Sequence, residues 1–567
     1  MPCSRHPQGP QPEVINIAAH LEYSKSKCPI EEGTCGLCQE ILGVEKDIAG
    51  TMARLKDLLS HHQRLKTDVN RTHSPIIRDL PVEVLSRIFY ACFSRNPNKF
   101  MTNDGDWSPS YYSIAVPLRI GAVCRTWRHI AWSSPELWTG IVLGRRFNSS
   151  SHVCNQYDII KGWISRSGVL PLRVYIYEDE EGSEDLDVKE YSLQRHAEKC
   201  RCWEMSLELV AQCSDRWKDA TLNLSTYSFT HIASTSKLLK PPIRNLHLTS
   251  SGDCGWDSPL TSEWDGGLKL WQESSPGPQN VTTFCHVGFR SFYLNWQHVS
   301  QVQADRWSVQ DCLDLVKSAP SLASCTFTSV SEYGEPRPDE PVTYHASLKE
   351  LFLRFGDPSY FFDHVTLPSL EDLTYSTSLY DDDDPIQRDD PSLMPFFTRS
   401  SFSLVALTLA AHLFTPEYMV AILNTVPSLG VFKLHCSRGI DLVEAVKTLL
   451  AAFLKHLAAT ATITNEIGSS FGNFLPVLES LELEGQWEFD FFWGSVAKIF
   501  GDPSEVGAEG RRPLKSLGLR TYTWTPSPVK GLPEETVTRF RSLKEAGVNI
   551  NYLVKHDSDK IVPVTWE

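Results

Sequence analysis

The spacing of apolar residues changes along this chain of 567 residues. Between Ile41 and Val69 apolar side chains recur every seven positions, and between Val84 and Trp138 they recur every three or four. Beyond residue 143, short runs alternate between apolar and polar positions instead. Because the first two spacings are typical of helices and alternation is typical of strands, we predict a helical N-terminal part followed by a part rich in strands.

Residues 36–72 carry the heptad spacing of a coiled coil. Its two interleaved series are Ile41, Ile48, Leu55, His62 and Val69, and Val44, Thr51, Leu58 and Leu65. The two series together form the seam of the helix. Polar residues on this seam and the glycines Gly43 and Gly50 weaken the pattern. Two interpretations stay open: the helix pairs with a second copy of the chain, or it packs against the helices that follow it. Residues 1–35 are predicted to be a disordered tail.

Residues 73–142 have the pattern of a small helical bundle. Asp79 is placed to cap a helix that opens with Leu80 and Pro81. Further helical residues are Val84, Leu85, Ile88 and Phe89, then Ile120, Val123, Cys124, Trp127 and Ile130, and last a short turn through Leu137 and Trp138. The segment 94–116 between the first two runs is predicted to be an inserted surface loop. A domain of this size buries little surface alone, so a partner helix on its broad apolar face is expected.

Taken together, these residues resemble an F-box. The matching features are Leu80-Pro81, Glu83, Ile88-Phe89, Val123-Cys124-Arg125, Trp127, Pro135 and Leu137-Trp138. The resemblance implies that this domain binds a Skp-type linker subunit and, through it, the cullin of a RING ubiquitin ligase. It implies linker contacts at Leu80, Pro81, Leu85, Ile88 and Phe89, and positions shared between contact and core at Val123, Cys124, Trp127 and Trp138. The alternative is that all of these are core residues of an unrelated bundle.

A leucine triplet of the form L-x-x-L-x-L recurs through residues 143–567. Its clear copies are Ile243-Leu246-Leu248, Leu322-Cys325-Phe327, Leu348-Leu351-Leu353, Leu370-Leu373-Tyr375, Leu404-Leu407-Leu409, Leu429-Phe432-Leu434, Leu478-Leu481-Leu483 and Leu514-Leu517-Leu519, with weaker units at Leu172-Val174-Ile176 and Leu222-Leu224. The last two apolar residues of a copy are expected to face inward from a short strand. Helix signals precede several copies, with Ser308 and Thr415 as caps.

Helices that alternate with short strands predict an α+β multidomain chain: an N-terminal helix, a three-helix bundle, and an α/β leucine-rich-repeat-like solenoid with parallel strands. The copies are irregularly spaced and lack the asparagine usual after the third leucine, so other α/β assemblies stay open. An F-box followed by such repeats resembles adaptor proteins abundant in fungi, in which the repeats hold a protein substrate. The resemblance covers nearly the whole chain, closely in the F-box and loosely beyond it.

Charge and composition exclude several classes of function. The net charge of −15 opposes nucleic-acid binding, because the pairs Arg145-Arg146 and Arg511-Arg512 stand alone and are interpreted as solvated surface. Acidic runs at 178–190, 381–384 and 389–390 are interpreted as solvated loops or, alternatively, as a rim for a basic partner. The most apolar stretch, residues 445–463, is interrupted by Lys447, Lys455 and His456 and predicts an amphipathic helix, so no membrane contact is expected.

The cysteines favour a reducing compartment. Fifteen of them, an odd number, are dispersed along the chain, which suits free thiols in the cytoplasm, the nucleus or both. No secretory signal opens the sequence. Cys35 and Cys38 lie near Cys28 and His20, but no second ligand pair at suitable spacing completes a metal site. We therefore expect neither a metal nor another cofactor.

The sequence favours an adaptor over an enzyme. It has no phosphate-binding loop, nucleophile elbow, zinc-protease motif or kinase motif set. The adjacent pairs His435-Cys436 and Cys285-His286 point to opposite faces if they lie in strands, so they are poorly placed to share a proton. The predicted function is a non-catalytic substrate adaptor of a Skp/cullin/F-box ligase with an unidentified protein substrate. The alternative is a scaffold that acts without the ligase.

Overall fold

The protein is described here from a computed structural model. It describes residues 35–73, 80–94, 116–146, 150–179, 201–235, 243–250, 277–284, 287–330, 341–355, 359–377, 389–411, 414–436, 443–461, 474–485, 493–508, 510–523, 534–556 and 561–563. The predicted tail, the Asp79 cap, nearly all of the predicted loop at 94–116 and the Cys285-His286 pair lie outside these ranges. The chain divides into two compact units, Met1–Ala220 and Thr221–Glu567.

The first unit is mainly helical. Its elements are α1 (Gly36–His73), α2 (Val82–Ser94), α3 (Val116–Val123), α4 (Arg125–Ser133), a 3-10 turn (Pro135–Trp138), β1 (Gly140–Arg146), α5 (Ser150–Arg166), β2 (Leu172–Asp179), α6 (Cys202–Ala211) and a second 3-10 turn (Ser214–Arg216). The strands β1 and β2 pair in parallel. Strand β3 (Trp217–Leu224) crosses the division between the units.

The second unit alternates strands with helices. Its elements are α7 (Thr226–Thr235), β4 (Asn245–Ser250), β5 (Asn280–Phe284), 3-10 turns (Phe289–Ser291 and Trp296–His298), β6 (Gln301–Asp305), α8 (Val309–Ser318), β7 (Ser324–Val330), β8 (Thr343–Tyr344), β9 (Glu350–Phe355), α9 (Ser359–Asp363), β10 (Val365–Thr366), β11 (Asp372–Thr377), α10 (Leu393–Ser400), β12 (Ala406–Ala410), α11 (Pro416–Asn424), β13 (Val431–His435), α12 (Val443–Ala459), β14 (Ser480–Gly485), α13 (Trp493–Lys498), a 3-10 turn (Pro503–Glu505), β15 (Ser516–Thr523), α14 (Glu534–Glu545), β16 (Asn549–His556) and β17 (Ile561–Pro563).

A large parallel sheet organises this unit. From β4 to β16 the strands pair in parallel with their neighbours, except that β8 and β10 form a small parallel pair of their own. The last strand, β17, pairs antiparallel with β16. The predicted order, with helices in the N-terminal part and parallel strands beyond it, is confirmed.

The leucine triplets form the strands and their approach, as predicted. In the copy at Leu478, the pair Leu481 and Leu483 lies in β14 and points into the core, while Leu478 is buried where the chain enters the strand. The clear copies all place their apolar residues in this way. Strands β5 and β6 were missed, because their inward positions include Thr283 and Ala304, which break the leucine pattern.

N-terminal caps stabilise two of the helices that cover this core. The Ser308 hydroxyl accepts a hydrogen bond from the Asp311 amide at 3.1 Å, and the Thr415 hydroxyl accepts one from the Tyr418 amide at 3.4 Å. Both caps were predicted, and each stabilises a helix start that otherwise leaves amides unpaired. Helix α12 occupies most of the stretch predicted to be amphipathic. In the described part of the chain, no helix is long and apolar enough to cross a membrane.

The interpretation of both arginine pairs as solvated surface is wrong for one member of each. Arg145 is buried in β1, where it pairs with the buried Glu178 at 3.5 Å and lies over the Trp203 ring at 5.9 Å. Arg512 is buried and donates to backbone oxygens of neighbouring segments. A guanidinium has several fixed donors, so it can satisfy buried oxygens that would otherwise be left unpaired.

Both interpretations of the acidic runs, as solvated loops and as a rim for a basic partner, are wrong at the buried residues Glu178 and Asp390. Glu178 is buried beside Arg145, and Asp389 accepts hydrogen bonds from both the amide and the hydroxyl of Thr415, at 2.7 and 2.8 Å. Asp390 is buried and accepts from the Ser392 amide at 2.9 Å. These carboxylates stabilise local structure instead of facing solvent. The remainder of the acidic runs lies outside the described residues.

Candidate partner-binding surface

The helices α2, α3 and α4 build a small core from aromatic and aliphatic side chains. The Phe89 ring lies 5.0 Å from the Trp127 ring, measured between centroids. Leu85, Ile130 and Ala131 are buried with Phe89. These contacts hold α2 against α4 and fix which side of α2 faces outward.

Trp138 closes this core from the 3-10 turn. Its indole nitrogen donates to the Ala131 carbonyl at 2.8 Å, and its ring packs edge-on against Trp132 and Trp163 at 5.1 and 4.8 Å. The guanidinium of Arg166 lies 5.0 Å from the Trp138 ring centroid. A buried indole with its donor satisfied and its faces covered is a structural anchor.

Local hydrogen bonds define the junction between α3 and α4. Cys124 adopts an extended backbone before α4, and its sulfur accepts from the Trp127 amide at 3.4 Å. The Arg128 side chain donates to the Gly121 carbonyl at 2.8 Å. A methyl group on Gly121 would lie 2.1 Å from the Trp132 ring, so glycine is required for this close approach. The sharp turn between the two helices therefore depends on Cys124, Arg128 and Gly121.

One side of α2 presents apolar groups to solvent. Pro81, which directly precedes α2, and Val84, Ile88 and Cys92 within it recur at three- and four-residue steps, and all four are exposed. We call these residues the α2 stripe. Further exposed apolar side chains of the bundle are Val82, Leu118 and Val123. Exposed apolar residues that share one helix side are the usual signature of an interaction surface.

The structure divides the predicted contact residues into two groups. Pro81, Ile88 and Val123 are exposed, and Leu80, Cys124 and Trp127 are half-buried, so these can contribute surface. Leu85, Phe89 and Trp138 are buried, because the packing of α2, α4 and the 3-10 turn covers them. For Trp138 this agrees with its predicted share in the bundle core, and the linker contacts of all nine residues stay a prediction. Sequence reasoning missed Val84 and Leu118 as surface positions. For Val84, the helical phase shared with Pro81 and Ile88 was the available signal.

The side of the sheet that faces away from the core offers a second surface. On β4 to β7, the register aligns Asn245, Asn280, Gln301 and Ser324 in one row of uncharged polar groups. The Asn280 amide donates to the Asn245 side-chain oxygen at 2.7 Å, which extends the backbone ladder into the side chains. This row is a candidate site for hydrogen bonding to a partner.

On β13 to β15, charged pairs lie in the outward rows beside this one. Lys433 pairs with Glu482 at 3.2 Å, and Glu484 accepts from Arg520 at 3.1 Å. His435 lies 3.6 Å from Glu484, but burial lowers the pKa of its imidazole and outweighs the attraction of that carboxylate. The outward side of the sheet therefore carries charged pairs on β13 to β15 in addition to the uncharged row on β4 to β7.

Of the groups considered for catalysis or metal binding, His435-Cys436 and the pair Cys35 and Cys38 lie in the described residues. Burial raises the pKa of the Cys436 thiol, which disfavours the reactive thiolate. Cys35 and Cys38 are half-buried, and the described ranges contain no cluster of three or more residues that could hold a metal ion.

The bundle matches a known protein family. Residues 77–144 match the F-box-like family, a span that contains α2, α3, α4 and the 3-10 turn. The resemblance to an F-box is thereby confirmed for this part of the chain. A search of the curated proteins finds no match to the chain.

Proposed function

We propose that the F-box-like domain of this chain binds a Skp-type linker subunit, and that the chain is a substrate-recognition adaptor of a Skp/cullin/F-box-type ubiquitin ligase. The family match carries this proposal. The α2 stripe supports it, because Val84 and Ile88 remain exposed on the described part of the domain, beside the buried Leu85 and Phe89. An apolar helix side that the described residues of its own domain leave exposed suits a helical partner.

The sheet unit is proposed to hold the protein substrate as a leucine-rich-repeat-like solenoid. The support is its succession of helices and parallel strands, in which one helix and strand cannot bury their own apolar face. Its outward side offers the uncharged row around Asn280 and the charged pairs around Glu484 as contact groups.

The chain itself is proposed to be non-catalytic. Ubiquitin transfer would be favoured by proximity, since the adaptor holds a substrate lysine near a ubiquitin-charged partner and raises its effective concentration. The linker would connect the adaptor to the cullin. This role places the chain in the cytoplasm, the nucleus or both, and it needs neither a cofactor nor nucleic acid.

The test is the affinity of the full chain for a purified Skp-type linker. In the Val84→Ala, Ile88→Ala double variant, two half-exposed side chains lose apolar area worth about 1 kcal/mol each, so binding should weaken roughly thirtyfold. The matched control is Val405→Ala, Val477→Ala, which removes exposed aliphatic groups outside the F-box-like domain and should leave affinity unchanged.

The outcomes separate the adaptor from the scaffold. Loss of binding in the first variant, with its circular dichroism unchanged, supports the adaptor. A folded wild-type chain that shows no linker binding at tens of micromolar rejects it. The scaffold is kept as a second candidate because α1 exposes a long apolar seam that the F-box function does not use.

A further inference from the structure

Helix α1 exposes the whole apolar part of its heptad seam. The aliphatic side chains from Leu37 to Val69 on this seam are between 38% and 73% exposed. The prediction that they pack against the following helices is therefore wrong for the described residues. At 1.5 Å per residue, a helix of this length extends for about 57 Å. A seam this long and this exposed is the geometry of an unpaired coiled-coil strand.

We propose that α1 pairs with α1 of a second copy of this chain in antiparallel orientation. The proposal goes beyond linker binding and does not depend on it. The layers of the seam distinguish the two orientations, since a parallel pair places each residue against its own copy. Thr51 would then face Thr51 and His62 would face His62, which gives separate polar layers and brings like imidazoles together.

An antiparallel pair places polar residues against polar residues and apolar residues against apolar residues. When Leu55 faces Leu58 of the second copy, the register also sets Ile48 against Leu65 and Val44 against Val69. The same register sets Thr51 against His62, so that these two polar residues share a layer and can hydrogen-bond. Polar groups are thereby matched with polar groups, and the intervening layers stay apolar.

The charges along α1 favour the same orientation. Residues 36–53 carry the carboxylates Glu40, Glu45 and Asp47 against one lysine, Lys46. Residues 54–69 carry Arg54, Lys56, Arg64 and Lys66 against Asp57 and Asp68. The first half of the helix is therefore net negative and the second half net positive. An antiparallel pair brings opposite halves together, whereas a parallel pair brings like halves together.

One flank of the seam adds to this preference, whereas on the other flank Asp47 would lie beside Asp68 of the second copy. In the antiparallel register, Glu45 lies beside Lys66 of the second copy, and the exposed Met52 lies beside Leu59 of the second copy. Both contacts occur twice by symmetry. In a parallel pair, Glu45 would instead approach Glu40, and like charges there oppose pairing. We expect a dimer in the micromolar range, because Thr51 and His62 interrupt the seam.

The first experiment measures the mass of the full chain by sedimentation equilibrium across micromolar concentrations. The wild-type chain should be a dimer, and Leu55→Asp should be a monomer with an unchanged circular dichroism spectrum, since Leu55 is not part of the chain's own core. Linker affinity of Leu55→Asp should equal that of the wild type, which separates this proposal from the proposed function. A wild-type monomer at tens of micromolar would overturn it.

The second experiment determines orientation by charge exchange. Glu45→Lys should weaken the dimer by about tenfold, because it places two lysines together twice. The double variant Glu45→Lys, Lys66→Glu should restore wild-type affinity. The control Lys46→Glu changes a charge on the side away from the seam and should leave affinity within about twofold. A tighter dimer in Glu45→Lys would show that the pair is parallel and would overturn the antiparallel assignment.

Discussion

Ile88 and Phe89 are neighbours in α2 that face different environments: Ile88 is 43% exposed, whereas Phe89 is 2% exposed and packs against Trp127. We predict that Phe89→Ala destabilises the F-box-like domain by about 3–5 kcal/mol, because it leaves a cavity beside Trp127. Ile88→Ala should change stability by less than about 1 kcal/mol. Hydrogen exchange of the backbone amides in α3 and α4 measures the stability of both variants. Equal protection in the two variants would contradict the assignment of Phe89 to the core.

The strand β14 gives a test of inward and outward positions. Leu481→Ala and Leu483→Ala should each lower the free energy of unfolding by about 2–5 kcal/mol, since both side chains are buried between neighbouring strands. Glu482→Ala should lower it by less than about 1 kcal/mol, because its pair with Lys433 is partly solvated. Thermal unfolding of the three variants checks this prediction, which fails if all three shift alike.

The buried guanidinium of Arg512 is expected to be structurally required. It donates to the carbonyls of Leu457, Phe474, Thr460 and Leu475 at 2.6–3.1 Å. Burial lowers the pKa of Arg512 to about 10, so it stays charged at neutral pH.

Arg512→Lys should therefore destabilise the protein by at least about 3 kcal/mol, because lysine cannot reach all of these oxygens and leaves some unpaired. The control is Lys515→Ala, which removes only an exposed ion pair with Glu479 and should cost less than about 1 kcal/mol. Urea unfolding measures the stability of both variants. Similar midpoints for the two variants would mean that the Arg512 hydrogen bonds contribute little.

His247 should make stability depend on pH. Burial lowers the pKa of this imidazole from 6.5 to about 3. The unfolded chain therefore binds a proton between these values that the folded chain does not, so stability is complete above about pH 6.5 and falls as the pH decreases toward 3. From pH 7.5 to pH 5 the loss assigned to His247 is about 2 kcal/mol.

The variant His247→Gln isolates this effect, because glutamine does not titrate and other histidines contribute equally to both proteins. Urea unfolding at pH 7.5 and pH 5 should show a smaller decrease in stability for His247→Gln than for the wild type. The same decrease in both proteins would mean that His247 titrates normally in the folded state.

The strands were predictable where burial alone decides the residue type. Leu481 and Leu483 alternate with glutamates, so their period gives both the strand and its inward side. Strands β5 and β6 were not predictable in this way, because Thr283 and Ala304 occupy inward positions that leucine fills elsewhere. Small or polar residues there satisfy local packing, which the apolar pattern does not record.

The candidate surface was only partly predictable for a different reason. The spacing of residues 81–89 gives a helix with a broad apolar side, but which part of that side is core depends on where Trp127 packs. That contact joins residues far apart in the sequence, and it assigns Phe89 to the core and Ile88 to the surface. Arg145 and Arg512 were misjudged similarly, since the groups that bury them lie in distant segments.

The parallel register of the sheet separates the positions that maintain the fold from those that face outward. Along β13 and β14, Phe432 and Leu481 are aligned in a buried row, while Lys433 and Glu482 are aligned in the next row on the opposite side. A substitution in the outward row leaves the buried row untouched. Related chains can therefore diverge at outward positions under little constraint from packing, and comparison of such chains should show rapid change there beside strongly restrained strand interiors.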